Sequence, residues 1–184
     1  EVGHSVRTVD DCIEQGKADV TVITNMIEAR LICGDENLYE RFQRAIEPSE
    51  MWSSREFFEA KLKEQEIRHL RYNDTAYNLE PNIKEGPGGL RDIQIVGWVA
   101  KRHFGTRTYL ELIDREFITA EEYQLIVEGQ RHLWKVRFAL HRLANRREDR
   151  LLFDYQNQIS IDFGFEAGPH NLAIEQFMQQ YYRT

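Results

Sequence analysis

The sequence predicts a mainly α protein, a helical bundle over residues 34–184 preceded by a short α/β segment over residues 1–33. Three observations carry this. Apolar residues recur at three- and four-residue spacing through most of the chain. Ser53 with Glu56 and Thr119 with Glu122 have the spacing of a capping box, which opens a helix. The one alternating β-branched run, Ala18-Asp19-Val20-Thr21-Val22-Ile23, falls inside the first 33 residues and reads as a strand.

Taken in order, residues 9–15 can form a helix before that strand. Asp35 caps a helix reaching Ala45, with Leu38, Phe42 and Ile46 on one face, and Pro48 stops it. Ser53 opens a long helix carrying Phe57, Phe58, Leu62, Ile67 and Leu70. Residues 73–89 hold Pro81, Gly86, Pro87, Gly88 and Gly89 and read as an ordered loop. Leu90, Ile93, Gly97, Ala100 and Phe104 then share a stripe that Gly105 ends. A shorter helix is expected at 107–114. Thr119 opens the longest helix, to Asn145, with Tyr123, Ile126, Leu133, Trp134 and Leu140. After the charged break Arg146-Arg147-Glu148-Asp149-Arg150, Asp154 caps a helix ending near Gly164. Gly168-Pro169 precedes the last helix.

Composition narrows the function classes. The 184 residues are 41% hydrophobic and 30% charged, as in a soluble globular protein. A formal charge of −7 argues against nonspecific nucleic-acid binding. No apolar run approaches the roughly 20 residues that span a bilayer, and the first residues are no signal peptide. The missing initiator Met predicts a piece of something longer. Cys12 and Cys33 form no CxxC pair and are expected to be buried reduced thiols in a cytoplasmic protein.

Three features can carry chemistry. In the loop Asn78-Leu79-Glu80-Pro81-Asn82-Ile83-Lys84-Glu85-Gly86-Pro87-Gly88-Gly89-Leu90-Arg91-Asp92-Ile93, two glycines feed a helix start. Exposed amides there suit an anion, and Lys84 and Arg91 add positive charge. The plainer reading makes the glycines a turn, Arg91 a solvated residue and Asp92 a carboxylate placed by the helix dipole. Next, Arg131, Lys135, Arg142 and Arg146 lie at offsets 0, 4, 11 and 15, near one helical face that can meet phosphates or an acidic protein surface. Its alternative is a solvated face paired with carboxylates. Third, Asp19 at a strand edge can hold Mg²⁺ or act as a base, or simply make a turn. His4, His69, His103, His132, His141 and His170 form no metal-hydrolase pattern, and His69, His103 and His132 are expected at the surface. Ser5 and Ser160 lack a nucleophile elbow.

Several blocks resemble the bacterial PII uridylyltransferase family. They are Glu1-Val2-Gly3-His4-Ser5-Val6-Arg7-Thr8, Asp19-Val20-Thr21-Val22, Tyr77-Asn78-Leu79-Glu80-Pro81-Asn82-Ile83-Lys84 and Pro87-Gly88-Gly89-Leu90-Arg91-Asp92-Ile93-Gln94. Gly97-Trp98-Val99-Ala100, Arg146 through Asp154, and Tyr181-Tyr182-Arg183 continue the resemblance in order over essentially the whole chain. It implies that residues 1–33 end a nucleotidyltransferase domain of the polymerase-β type and that residues 34–184 form the helical domain after it. The family's full chain also carries an HD hydrolase domain and two ACT domains. With UTP and Mg²⁺ it uridylylates a tyrosine of the PII signalling protein when glutamine is scarce, and removes the UMP when glutamine is abundant. By resemblance, Lys84, Gly88, Gly89, Arg91 and Asp92 would line or wall the nucleotide cleft. Asp19 would stand where a third metal carboxylate falls.

The family's glycine-serine turn, paired Asp-x-Asp, uridylyl-removing His-Asp pair and glutamine-sensing ACT domains are not in this sequence. The chain by itself is therefore expected to be inactive. Glutamine synthetase adenylyltransferase has a similar turn but typically continues with Glu and Phe, where Gln94-Ile95 stand here. A helical module that docks PII or relays glutamine state, without nucleotide contact, is the alternative from another class.

Overall fold

The computed structural model describes residues 3–106 and 108–183. The described residues are mainly helical, as the sequence predicts. In chain order the helices are α1 (Val9–Ala18), α2 (Val20–Ile27), α3 (Glu36–Ala45), α4 (Ser54–Leu70), α5 (Leu90–Phe104), α6 (Glu111–Asp114), α7 (Ala120–Ala144), α8 (Phe153–Asp162) and α9 (Ala173–Arg183).

The expected caps form. Asp35 accepts the Asn37 amide at 2.8 Å. Ser53 and Glu56 exchange both bonds of a capping box, and so do Thr119 and Glu122. Thr8 and Asp11 add a third box at the start of α1. Asn145 ends α7 in the left-handed conformation at φ 50°, a cap that asparagine tolerates better than most residues.

The expected strand at residues 18–23 is a correction. Residues 20–27 are helical, and Asp19 is the residue that starts them. Its Oδ1 accepts the Thr21 amide at 2.7 Å and the Thr21 hydroxyl at 2.8 Å. The β-branched run misled because Ile23, Met26 and Ile27 also fit helical spacing, and all three are buried. With no partner strand among the described residues, a helix satisfies the backbone locally. Thr24 turns its hydroxyl onto the Val20 carbonyl at 2.6 Å. Two smaller corrections follow. α8 starts at Phe153 with Leu152 as its cap, so Asp154 lies in the first turn. The helix expected from 107 is confined to Glu111–Asp114, and position 107 lies outside the described residues.

The chain divides into two compact units. The first comprises residues 1–64 and 96–107. Its core is Ile23, Met26, Ile27, Ile46, Met51 and Phe57, with Ile13, Phe42, Trp52 and Trp98 packed on it. Fully burying a side chain such as Ile23 or Phe57 contributes about 1.5–3 kcal/mol. Two buried cations reinforce this core. Arg102 donates to the carbonyls of Ile46, Met51 and, at 2.9 Å, Trp52. Lys61 is 1% exposed, bonds Glu64 at 2.7 Å and lies 5.0 Å from the Trp98 ring centre.

The second unit comprises residues 65–95 and 108–184. Ile83, Val136, Ala139, Leu140, Leu151, Ile159, Phe177 and Met178 form its core, drawn from the loop before α5, the segment between α7 and α8, and α7, α8 and α9. The loop is tied down by a short antiparallel bridge pairing Asn82 with Arg150. Across it the Ile83 amide donates to the Asp149 carbonyl and the Leu151 amide to the Pro81 carbonyl, each at 2.9 Å. The buried Gln156 amide adds bonds to the Leu79 and Leu151 carbonyls at 2.7 and 2.8 Å. Among the described residues no helix is long and apolar enough to cross a membrane.

Candidate functional site

The loop at residues 78–92 packs as a chain of turns. Asn82 starts it, its Oδ1 accepting the amides of Lys84 at 3.1 Å and Glu85 at 2.7 Å. The Gly86 amide returns to the Asn82 carbonyl at 3.0 Å. A Cβ at Gly86 would sit 2.7 Å from that oxygen, and one at Gly89 would sit 2.8 Å from the Gly86 oxygen and 2.9 Å from the Lys84 oxygen. These two positions therefore need glycine for close backbone approach. Gly88 needs it for conformation, with φ +74° and open space around it.

The amides expected to be bare are engaged within the protein, which corrects the basis of the anion reading. Gly88 donates to the Asp92 carboxylate at 2.8 Å. Gly89 donates to Gly86, Leu90 to Ile83, Arg91 to Lys84 and Asp92 to Gly89, at 2.8–3.1 Å. The start of α5 is thus capped by its own chain.

The side chains here form two charged groups. Lys84 and Arg91 meet the same oxygen of Glu85, each at 3.2 Å, and Arg91 also donates to Gln94 at 3.0 Å. Lys84 also acts on Asp149, whose pKa it helps to lower. Burial works to raise the Glu85 pKa, but Arg91 and Lys84 outweigh it and hold the group below its ordinary value. The second group surrounds Asp92. Gln65 donates to it at 2.8 Å, Arg68 pairs with it, and His69 Nε2 lies 3.1 Å from both carboxylate oxygens. Burial again works to raise the Asp92 pKa, and the bonds from Arg68, Gln65 and Gly88 bring it below the ordinary range. Asp92 is therefore the half-buried anchor of the loop, a larger role than a dipole-placed carboxylate.

Sequence reasoning missed Gln65, Arg68 and His69. Their spacing of three and four residues puts three polar groups on one helical face, the signal that was available. His69 is 20% exposed in its side chain and His132 is partly buried, so neither is the surface histidine expected, whereas His103 is exposed.

The remaining candidates stand as follows. Arg131 and Lys135 are exposed on α7, with no ion pair among the described residues. Arg142 pairs with Asp162 of α8. Arg146 lies beyond the end of α7, past the left-handed Asn145, and pairs with Glu148 at 2.6 Å. The helical part of the stripe therefore ends at Arg142. Asp19 is exposed, and its pKa is lowered first by the Thr21 hydroxyl and then by the Thr21 amide. Among the described residues no group of three His, Cys, Asp or Glu side chains comes together that could hold a metal. The cysteines are reduced, but Cys33 is exposed and only Cys12 is partly buried, so the expectation of two buried thiols holds for neither in full.

Comparison with known proteins shows the family of the chain. The family described as GlnD PII-uridylyltransferase matches residues 56–184. The chain belongs to the PII-uridylyltransferase family. Proteins named bifunctional uridylyltransferase/uridylyl-removing enzyme match the family member along its whole length. The one from Ectopseudomonas mendocina is 54% identical over 184 residues, covering 100% of this chain and 20% of the relative. Those from Nitrosococcus oceani and Azotobacter vinelandii are 52% and 54% identical, again over 100% of this chain and 21% and 20% of theirs. The chain thus spans about a fifth of the length of the curated family members it matches. No solved structure matches it.

Proposed function

We propose that the chain is the helical part of an enzyme that moves UMP from UTP to a tyrosine of the PII signalling protein and removes it again. The loop at residues 84–92 acts as one wall of the nucleotide cleft. The observation that carries the site is the sharing of one Glu85 oxygen by Lys84 and Arg91. A polyphosphate can bring its own oxygens to that pair of cations while Asp92 keeps the loop rigid. The exposed Gly88 lets a ligand approach the backbone while Gly89 is closed against its own chain, so side chains rather than amides would hold the charge.

In this reading the tyrosine oxygen attacks the α-phosphorus of UTP and pyrophosphate leaves. Mg²⁺ would be held by carboxylates other than those gathered here, with Asp19 contributing at most one free oxygen. Glutamine would act as effector outside this chain, and the setting is the cytoplasm. Residues 1–33 would end the nucleotidyltransferase domain and residues 34–184 form the helical domain. The names of the relatives and their identity across the whole of this chain support the family reading, and the match of residues 56–184 falls inside the helical part.

Calorimetric titration with UTP tests the cleft wall. Lys84→Ala and Arg91→Ala should weaken binding by about tenfold, the scale of one charged hydrogen bond, while Arg131→Ala leaves it unchanged. Equal losses in all three variants, or none, would refute the wall. Mixed with UTP and PII, the chain by itself should transfer no UMP.

A second reading has its own observation. Arg131 and Lys135 are exposed and unpaired among the described residues, so this end of α7 can dock an acidic protein face. Loss of PII binding in Arg131→Ala, with UTP binding intact, would favour it.

A further inference from the structure

We propose a second anion site, independent of Lys84 and Arg91, in the polar cavity lined by Arg71, Tyr72, Asn73, Asn78, Glu80, Asn82 and Arg150. Its ligand is a phosphate group carried by a small molecule. The cavity measures about 340 Å³, the lower end of the range for small-ligand sites.

The bridge explains why these groups converge. Asn82 and Arg150 oppose each other across the antiparallel pair without bonding each other's backbone, and in that register side chains lie closest on one face. Arg71 and Tyr72 follow directly on the end of α4.

The donors are what set the site apart. Asn82 spends its Oδ1 on two backbone amides, and Asn78 spends its Oδ1 on the Glu80 amide at 3.1 Å. Each planar amide therefore turns its NH₂ away from the turn it closes. Neither NH₂ has an acceptor among the described residues, and neither do the Arg71 guanidinium and the Tyr72 hydroxyl. Elsewhere in the loop the opposite holds, since the backbone donors from Gly88 to Asp92 are all used.

Charge agrees with the donors. The one carboxylate in the lining, Glu80, is held by Arg150 at 3.0 Å and by the Phe153 amide at 3.1 Å. Arg71 remains as uncompensated positive charge. One arginine fork satisfies a carboxylate, whereas guanidinium, two amide NH₂ groups and a phenol together suit the several oxygens of a phosphate.

The test titrates the full chain with inorganic phosphate, UMP, uridine and acetate, followed by amide NMR shifts. Phosphate and UMP should bind and shift residues 71–73 and 78–82, and uridine should not. Arg71→Gln, an exposed substitution, should weaken both ligands by about tenfold, with Arg71→Lys recovering part of the loss. Lys63→Ala, an exposed substitution on α4, should change neither. Absence of phosphate and UMP binding at millimolar concentration would overturn the site. So would acetate binding as tightly as phosphate, or a loss confined to Lys84→Ala. That last outcome would leave the cleft wall standing, so the two proposals fail separately.

Discussion

Gly88 donates its backbone N–H to the Asp92 carboxylate 2.8 Å away, so the residue that frees the turn is held by the residue that anchors it. Asp92 also takes Arg68 and Gln65. Its folded pKa lies below the unfolded value of about 3.9. The carboxylate therefore favours folding above that pH, and the gain is lost as pH falls through the folded value. Asp92→Asn should cost about 3 kcal/mol at neutral pH, the scale of breaking a buried pair. It should also flatten the decline in acid, as read by urea unfolding at a series of pH values.

A second acid response should appear at higher pH. His132 Nε2 is buried without a hydrogen-bond partner, and burial, then Lys135, lowers its pKa. The unfolded chain takes up a proton near pH ~6.5 while the folded chain resists it, so stability falls as pH drops below that value. In His132→Phe this decline should be absent, while the response of Asp92 at lower pH persists.

The adjacent glycines should respond differently to alanine. A Cβ at Gly89 meets three backbone oxygens at 2.8–3.0 Å, and backbone cannot step aside as a side chain can. At Gly88 the Cβ meets nothing, and only the φ of +74° opposes it. Gly88→Ala should cost about 1–2 kcal/mol. Gly89→Ala should cost more, shown by a lower midpoint in thermal unfolding.

Arg102→Lys should destabilise although the charge is kept. The planar guanidinium reaches the carbonyls of Ile46, Met51 and Trp52 together, and an ammonium cannot reproduce that fork. One stranded buried carbonyl costs about 1–3 kcal/mol. Equal stability of the two proteins in urea would contradict this.

The thiols should differ in reactivity. Cys33 is exposed, whereas burial raises the pKa of the partly buried Cys12. Because thiolate is the reactive form, iodoacetamide at neutral pH should label Cys33 first, as peptide mass mapping can show.

The helices were legible wherever their signals were local. Asp35, Ser53 with Glu56, and Thr119 with Glu122 bond within their own first turns, so the sequence carries both partners. Asp19 shows the limit. The β-branching of residues 20–23 outweighed, on paper, a cap and an apolar spacing that together make a helix. The loop was legible as a turn before a helix but not as a closed one. Its amides are satisfied by Ile83, Lys84 and Asp92, and Asp92 is held by Arg68, 24 residues earlier. Spacing rules do not reach across such distances.

The ties of this loop also set an order of events at the ribosome. The Asn78 carbonyl waits for the hydroxyl of Tyr182, 104 residues later, and the Ile83 and Leu151 amides pair only once the second strand of the bridge exists. Synthesis delivers the chain from its N-terminus. A nascent chain stalled before residue 149 would thus hold its glycine turn without its lock, open to a protease that the finished protein resists.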